Sequence, residues 1–223
     1  MTPEDLLAQA HVLLLDFDGP VCSVFAGLPA PRVADQLRDV LGDWGHANLP
    51  ETIASSADPF DVFRYAAALG DDEARCVESA FAAHEVEAIS SATPTPGAHQ
   101  LMEAWHEAGQ PLAIVSNNGV AAINAYLDLY GIRASIDFVS ARANSAASLL
   151  KPSPHLLREA IRALGVRPDD CVFLGDSVTD IVAAEAAGTF SIGYANKPGK
   201  SARLKASGAD AITNTLTGLV AVA

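Results

Sequence analysis

Two aspartates, Asp16 and Asp18, stand one residue apart where an apolar run over residues 11–15 gives way to Gly19. Runs of this kind form strands buried on both faces of a parallel sheet. In open α/β sheets, ligands and reacting groups collect at the carboxyl ends of such strands. Two carboxylates this close repel each other, and a divalent cation relieves the repulsion. An all-oxygen ligand set favours Mg²⁺. A carboxylate held there can also attack phosphorus as a nucleophile. Asp-x-Asp-Gly is equally an ordinary strand-ending turn, so the rest of the chain must decide.

Three further groups bear on that choice. Ser116, Asn117 and Asn118 end a second apolar run just before Gly119. A hydroxyl and the N–H groups of a small-residue turn can hold phosphate oxygens. Lys151 lies between Leu150 and Pro152 in a chain with only 14 Lys and Arg. Pro152 biases it toward an extended conformation and Pro154 suits a first helical turn, so the ammonium is carried on a stiff loop. There it can hold both a nucleophile and a transferring phosphoryl group. Asp176 ends a third apolar run, and Asp180 follows about one helical turn later, so both can face one point. Asp176 is placed to complete a metal shell. Asp180 is placed behind it, to orient Asp176, water or Lys151. Helix N-capping by Asp176 or Ser177 explains one of these acids but not the second.

The elements that must position these residues are legible as an alternation. Strand patterns cover residues 11–17, 112–116, 136–140, 171–175 and 190–194, with a short one at 211–213. Helical patterns cover 98–108, 121–130, 154–164 and 178–187, and Gly109, Gly131, Gly165 and Gly188 stand at their ends. The fold class predicted is α/β, a doubly wound parallel sheet. Residues 21–95 lack a strand pattern and read as helices near 31–40, 59–69 and 71–89. That is far more chain than a crossover needs. We therefore expect a core domain of residues 1–20 and 96–223, and an inserted helical cap of residues 21–95. Residues 93–97 would be the return hinge of a cap that opens and closes over substrate.

Size and charge narrow the function. At 223 residues and 50% hydrophobic content, one large domain with an insertion is expected. A net charge of −13 without a basic run argues against nucleic acid and anionic membranes as partners. Cys22, Cys76 and Cys171 are far apart and form no metal or redox motif. The first residues lack a signal-peptide pattern and no stretch is long enough to span a membrane, so a cytoplasmic protein is expected.

Taken together, the four segments resemble the signature motifs of the haloacid dehalogenase-like hydrolase superfamily, in that family's order. Pro96-Gly97 and the run Ala183-Ala184-Glu185-Ala186-Ala187-Gly188 resemble its phosphoglycolate phosphatase-like branch. The resemblance implies a Rossmann-like core, a helical cap and Mg²⁺-dependent hydrolysis of a small phosphorylated metabolite. It implies Asp16 as nucleophile and Asp18 as general acid, then base. It implies metal held by the Asp16 and Asp176 carboxylates and the Asp18 carbonyl. Ser116, Asn117 and Lys151 match the phosphate-holding groups, with Asn118 beside them. Dehalogenases of the superfamily usually lack an aspartate matching Asp18, because a leaving halide needs no proton, whereas an alkoxide does. Pro20 departs from the usual Thr or Val, and either stiffens the turn or removes a hydrogen bond that supports Asp18. A phosphomutase and a non-catalytic phospho-ligand-binding protein are the alternatives; a receiver-type signalling domain would be much shorter. A monomer or homodimer is expected.

Overall fold

A computed structural model describes residues 1–223. Strand β1 (Val12–Leu15) lies at the centre of a six-stranded parallel sheet. On one side of it come β4 (Leu112–Gly119) and then β5 (Phe138–Arg142). On the other side come β6 (Cys171–Gly175), β7 (Phe190–Tyr194) and β8 (Ala211–Thr213). The order is β5-β4-β1-β6-β7-β8, as expected of a doubly wound α/β fold.

The period of two along β1 explains its uniform apolarity. Leu13 and Leu15 enter one buried cluster, with Ile114, Val172 and Leu174. Val12 and Leu14 enter the other, with Ala113, Val115 and Phe173. Both faces are covered, so both alternating sets must be apolar. Register then fixes the site: Leu15 lies opposite Ile114 on one side and Leu174 on the other. The chain beyond each of these residues therefore emerges at one edge of the sheet, which brings Asp16, Ser116 and Asp176 together.

The covering helices are α1 (Pro3–Gln9), α6 (Ala98–Glu107), α7 (Val120–Tyr130), α8 (His155–Leu164), α9 (Val178–Ala187) and α10 (Lys200–Ala206). Gly131, Gly165 and Gly188 cap α7, α8 and α9 in the left-handed conformation. Between β1 and α6 lies the helical segment: α2 (Ala30–Asp43), the single turn α3 (Glu51–Ala54), α4 (Pro59–Leu69) and α5 (Asp71–Ile89). The chain enters and leaves it through a two-stranded antiparallel ladder, β2 (Cys22–Ser23) with β3 (Thr93–Pro94). Val33, Leu37, Phe63 and Phe81 of these helices join the same apolar cluster as Val12 and Leu14.

The structure shifts some boundaries. The β5 strand starts two residues later than the pattern suggests, because Arg133–Ser135 forms a 3-10 turn and Ile136 follows it as a cap. The first and last short helices, α1 and α10, carry too few apolar residues for a periodic signal; each buries at most two side chains. No helix is long and apolar enough to cross a membrane.

Candidate active site

Asp16 follows β1 directly. Its N–H continues the sheet by donating to the Leu174 carbonyl at 2.9 Å, which fixes the backbone at the strand tip. Its Oδ1 accepts from the Phe17 N–H at 2.7 Å and lies 2.8 Å from Lys151 Nζ. Its Oδ2 takes no protein hydrogen bond, so one oxygen is anchored and the other is available for attack. Burial, with the neighbouring charge of Asp180, pushes the Asp16 carboxyl up to about 8; Lys151 pulls it the other way.

Asp18 sits on the turn beyond. Its Oδ1 accepts from the Val24 N–H at 2.9 Å. This side chain is thus held from residue 24, beyond Pro20. Burial pushes Asp18 up to about 6, against the pull of that bond. Gly19 is required here on two counts. Its φ is +119°, and a Cβ would run into the Asp176 carboxylate.

Lys151 is 2% exposed, and its three donors are all directed inward. Nζ lies 2.8 Å from Asp16 Oδ1, 2.6 Å from Asp180 Oδ1 and 3.1 Å from the Val115 carbonyl, which accepts from it. Burial opposes its charge, but the two carboxylates hold its pKa above the ordinary lysine value. The loop that carries it is bracketed by Asn117, whose amide accepts from Lys151 N–H at 2.7 Å and donates to Lys151 C=O at 3.2 Å. The Asn117 side chain therefore places the lysine.

Asp180 serves two purposes. Its Oδ2 accepts from the N–H groups of Asp176 at 3.0 Å and Ser177 at 2.9 Å, and from Ser177 Oγ at 2.7 Å. With Ser177 as N-cap this is a reciprocal capping box on α9. Its other oxygen faces Lys151. Burial works against its ionisation, but Lys151 and the Ser177 hydrogen bonds hold the carboxyl below its ordinary value. Gly175 lets this happen, since a Cβ there would lie 2.5 Å from Asp180 Cβ. Asp176 contacts Lys200 Nζ, and burial raises its pKa against that contact.

Carboxylate oxygens of Asp16, Asp176 and Asp180 lie within 4.8 Å of one another. The donors are all oxygen, and the ammonium groups in direct contact with the acids are those of Lys151, on Asp16 and Asp180, and Lys200, on Asp176. Such a set suits a hard divalent cation. The side chain of Asp18 is turned to Val24 and stands outside this three-acid cluster.

A cavity of about 320 Å³ opens over these groups. Ser116, Asn117 and Asn118 line it from β4, Lys151 from its loop, and Asp58, Phe60 and Arg64 from the start of α4. Of these only Phe60 is apolar. The Asn118 side chain runs inward, accepting from Ser116 Oγ at 3.0 Å and donating to Glu85 at 2.9 Å. Glu85, Asp58 and Lys200 were not legible as site residues from motifs. Glu85 did leave a signal: it interrupts the buried stripe Val77, Phe81, Glu85, Ala88 of α5 with a charge.

A family model for haloacid dehalogenase-like hydrolase matches residues 10–188. The chain belongs to that family of hydrolases. Its matches among characterised proteins include several phosphoglycolate phosphatases. It is 28% identical over 198 residues to a phosphoglycolate phosphatase of Rhodospirillum rubrum, covering 83% of this chain and 81% of that one. It is 34% identical over 131 residues to the plasmid-encoded phosphoglycolate phosphatase of Cupriavidus necator, covering 57% and 54%. Among solved structures, CbbY of Rhodobacter sphaeroides in complex with phosphate superposes with a TM-score of 0.69 at 21% identity, over 94% of this chain and 96% of that one. That likeness shows the shared fold.

Proposed function

We propose that the protein hydrolyses a small, polar phosphomonoester through an aspartyl-phosphate on Asp16, with Mg²⁺ as its cation. The observation that carries this is the buried Lys151 seated between Asp16 and Asp180, with Asp16 Oδ2 left without a protein partner. Asp16, Asp176 and the Asp18 carbonyl would hold the ion, with Asp180 close behind. The ion supplies charge neutralisation to the phosphoryl oxygens and to the acidic cluster.

This chain's residues account for the remaining needs of phosphoryl transfer, which are positioning and charge balance. Lys151, the Asn117 N–H and the Ser116 hydroxyl, once it turns its proton from Asn118 Oδ1, hold the phosphoryl oxygens; the N–H groups of Asn118 and Gly119 are spent on Ser116 Oγ and Glu85. Asp16 Oδ2 forms a bond to phosphorus as the bond to the ester oxygen breaks, and Asp18 gives that oxygen its proton. Asp18, now a carboxylate, takes a proton from water as the water attacks phosphorus. The bond from phosphorus to Asp16 then breaks and inorganic phosphate leaves. The burial of Asp18, which favours its protonated form, suits a group that must first act as an acid.

The cavity lining supports a small polar substrate, with Arg64 of α4 placed for a second anionic group. The helical segment of residues 21–95 is the proposed cap, hinged at the β2–β3 ladder beside Gly19, whose carbonyl accepts from Thr95 Oγ1 at 2.6 Å. The test is phosphate release from a panel of small phosphomonoesters, beginning with 2-phosphoglycolate, with Mg²⁺ and with a chelator. Turnover that needs the metal and disappears in Asp16→Asn supports the proposal. Equal turnover by Asp16→Asn overturns it.

A further inference from the structure

Glu85 is a carboxylate with no exposure at all, on the last long helix of the inserted segment. Three donors converge on it. Asn118 Nδ2 donates to Oε1 at 2.9 Å, the Gly119 N–H donates to Oε2 at 3.0 Å, and Arg142 Nη2 donates to Oε2 as well. Two of the three belong to the turn that ends β4, and Arg142 ends β5 beside it. Asn118 passes the constraint on: its Oδ1 accepts from Ser116 Oγ at 3.0 Å, and its N–H donates to the same hydroxyl at 3.2 Å.

Arg142 hydrogen-bonds Glu85, and its Nε also lies 3.8 Å from Oε1 of Glu78, another acid of the same helix. Its guanidinium lies 4.3 Å from the Phe81 ring centre and 5.3 Å from that of Phe63, both on the inserted helices. Its Nε and Nη1 have no hydrogen-bond partner. Gly119 carries the same message. Its φ of −66° and ψ of 136° suit any residue, yet a Cβ there would stand 2.8 Å from Glu85 Oε2. Glycine is needed at 119 because the carboxylate comes so close. A buried ion pair seldom repays its desolvation as stability, and apolar side chains of similar volume would pack the same space. What they would not do is accept from Asn118 and Gly119.

We propose that Glu85 is a positioning residue for the phosphate-holding turn: clamped by Arg142, it sets Asn118 and Gly119 and, through Asn118, the Ser116 hydroxyl. The inserted helices thereby shape the phosphate pocket from behind, in addition to facing the substrate through α4. The inference rests on the proposed role of Ser116 in holding phosphate.

The experiment is a double-mutant cycle between Glu85→Gln and Ser116→Ala, read as KM, kcat and inhibition by inorganic phosphate, on variants shown to be folded by their melting curves. Ser116→Ala alone is expected to weaken phosphate inhibition severalfold, less than a full hydrogen bond to a charged group, because the hydroxyl must turn its one proton from Asn118 Oδ1 to reach phosphate. Glu85→Gln is expected to raise KM and weaken phosphate inhibition severalfold in the parent, with a smaller effect on kcat. It is expected to change neither by more than about twofold in the Ser116→Ala background. If Glu85→Gln does not fold, Gly119→Ala crowds the same carboxylate without removing a charge and carries the same test. Effects of equal size in both backgrounds, or no effect on phosphate inhibition in the parent, overturn the proposal while leaving Ser116's role intact. If Ser116→Ala itself changes nothing, the assigned role of the turn fails, and the proposal with it.

Discussion

An alkoxide leaves phosphorus readily only with a proton, whereas a nitrophenolate leaves without one. Asp18→Asn therefore should lower turnover of an alkyl phosphate by about 100- to 10,000-fold, the usual worth of a positioned acid. Formation of the intermediate from a nitrophenyl ester should fall far less. Equal losses for both esters would remove the acid role from Asp18. Lys151→Ala should cost about 100- to 1,000-fold in kcat/KM, as loss of a preorganised cationic donor does. It also leaves Asp16 and Asp180 facing each other inside the protein. In chelator, urea unfolding should show a stability loss of about 3–5 kcal/mol, the usual cost of breaking a buried pair. The acids and the lysine were legible because their types and their places after apolar runs carry meaning locally. Glu85 was not, because its meaning lies in Arg142, 57 residues away, and in a turn 33 residues away. Lys200 is similar: it reaches Asp176 across 24 residues from the first position of α10, which carries no motif.

At the scale of elements, the sheet was legible because a strand buried on both faces must be apolar throughout. Its parallel order follows from helices alternating with strands. The β2–β3 ladder was not legible, since two-residue strands have no period, and Pro94 argues against a strand outright. The sequence makes residues 93–97 the expected hinge, and the structure pairs 93 and 94 with the entering chain beside the Asp18 turn. Gly19 links these levels. Its carbonyl accepts from Thr95, its φ is open only to glycine at low cost, and its bare Cα gives Asp176 room. Gly19→Ala should destabilise the protein by roughly 1–3 kcal/mol from backbone strain and crowding. It should also raise the Mg²⁺ concentration needed for half-maximal activity, because Asp176 must move. An unchanged melting curve and an unchanged metal titration would show that the turn tolerates a side chain.

Over the whole molecule, the net charge of −13 makes the few cations informative. Lys151, Lys200 and Arg64 all stand at one end of the sheet, where an anionic substrate would otherwise be repelled. The cysteines take no part in this chemistry. Cys22 and Cys171 are buried in opposite apolar clusters, and burial raises both thiols, Cys171 to about 12. In the native protein an alkylating reagent at pH 8 should modify Cys76 and spare the other two, as read by peptide mass. Rapid modification of Cys22 would mean that the core beside the Asp18 turn opens easily. The most direct test of the central claim uses Asp18→Asn with a nitrophenyl phosphate and Mg²⁺, quenched in acid within the first turnover. We expect a burst of nitrophenolate and a phosphoryl group on the peptide containing Asp16, removed by hydroxylamine as an acyl phosphate is. A burst with the phosphoryl group elsewhere, or with none bound to the protein, would contradict Asp16 as the nucleophile.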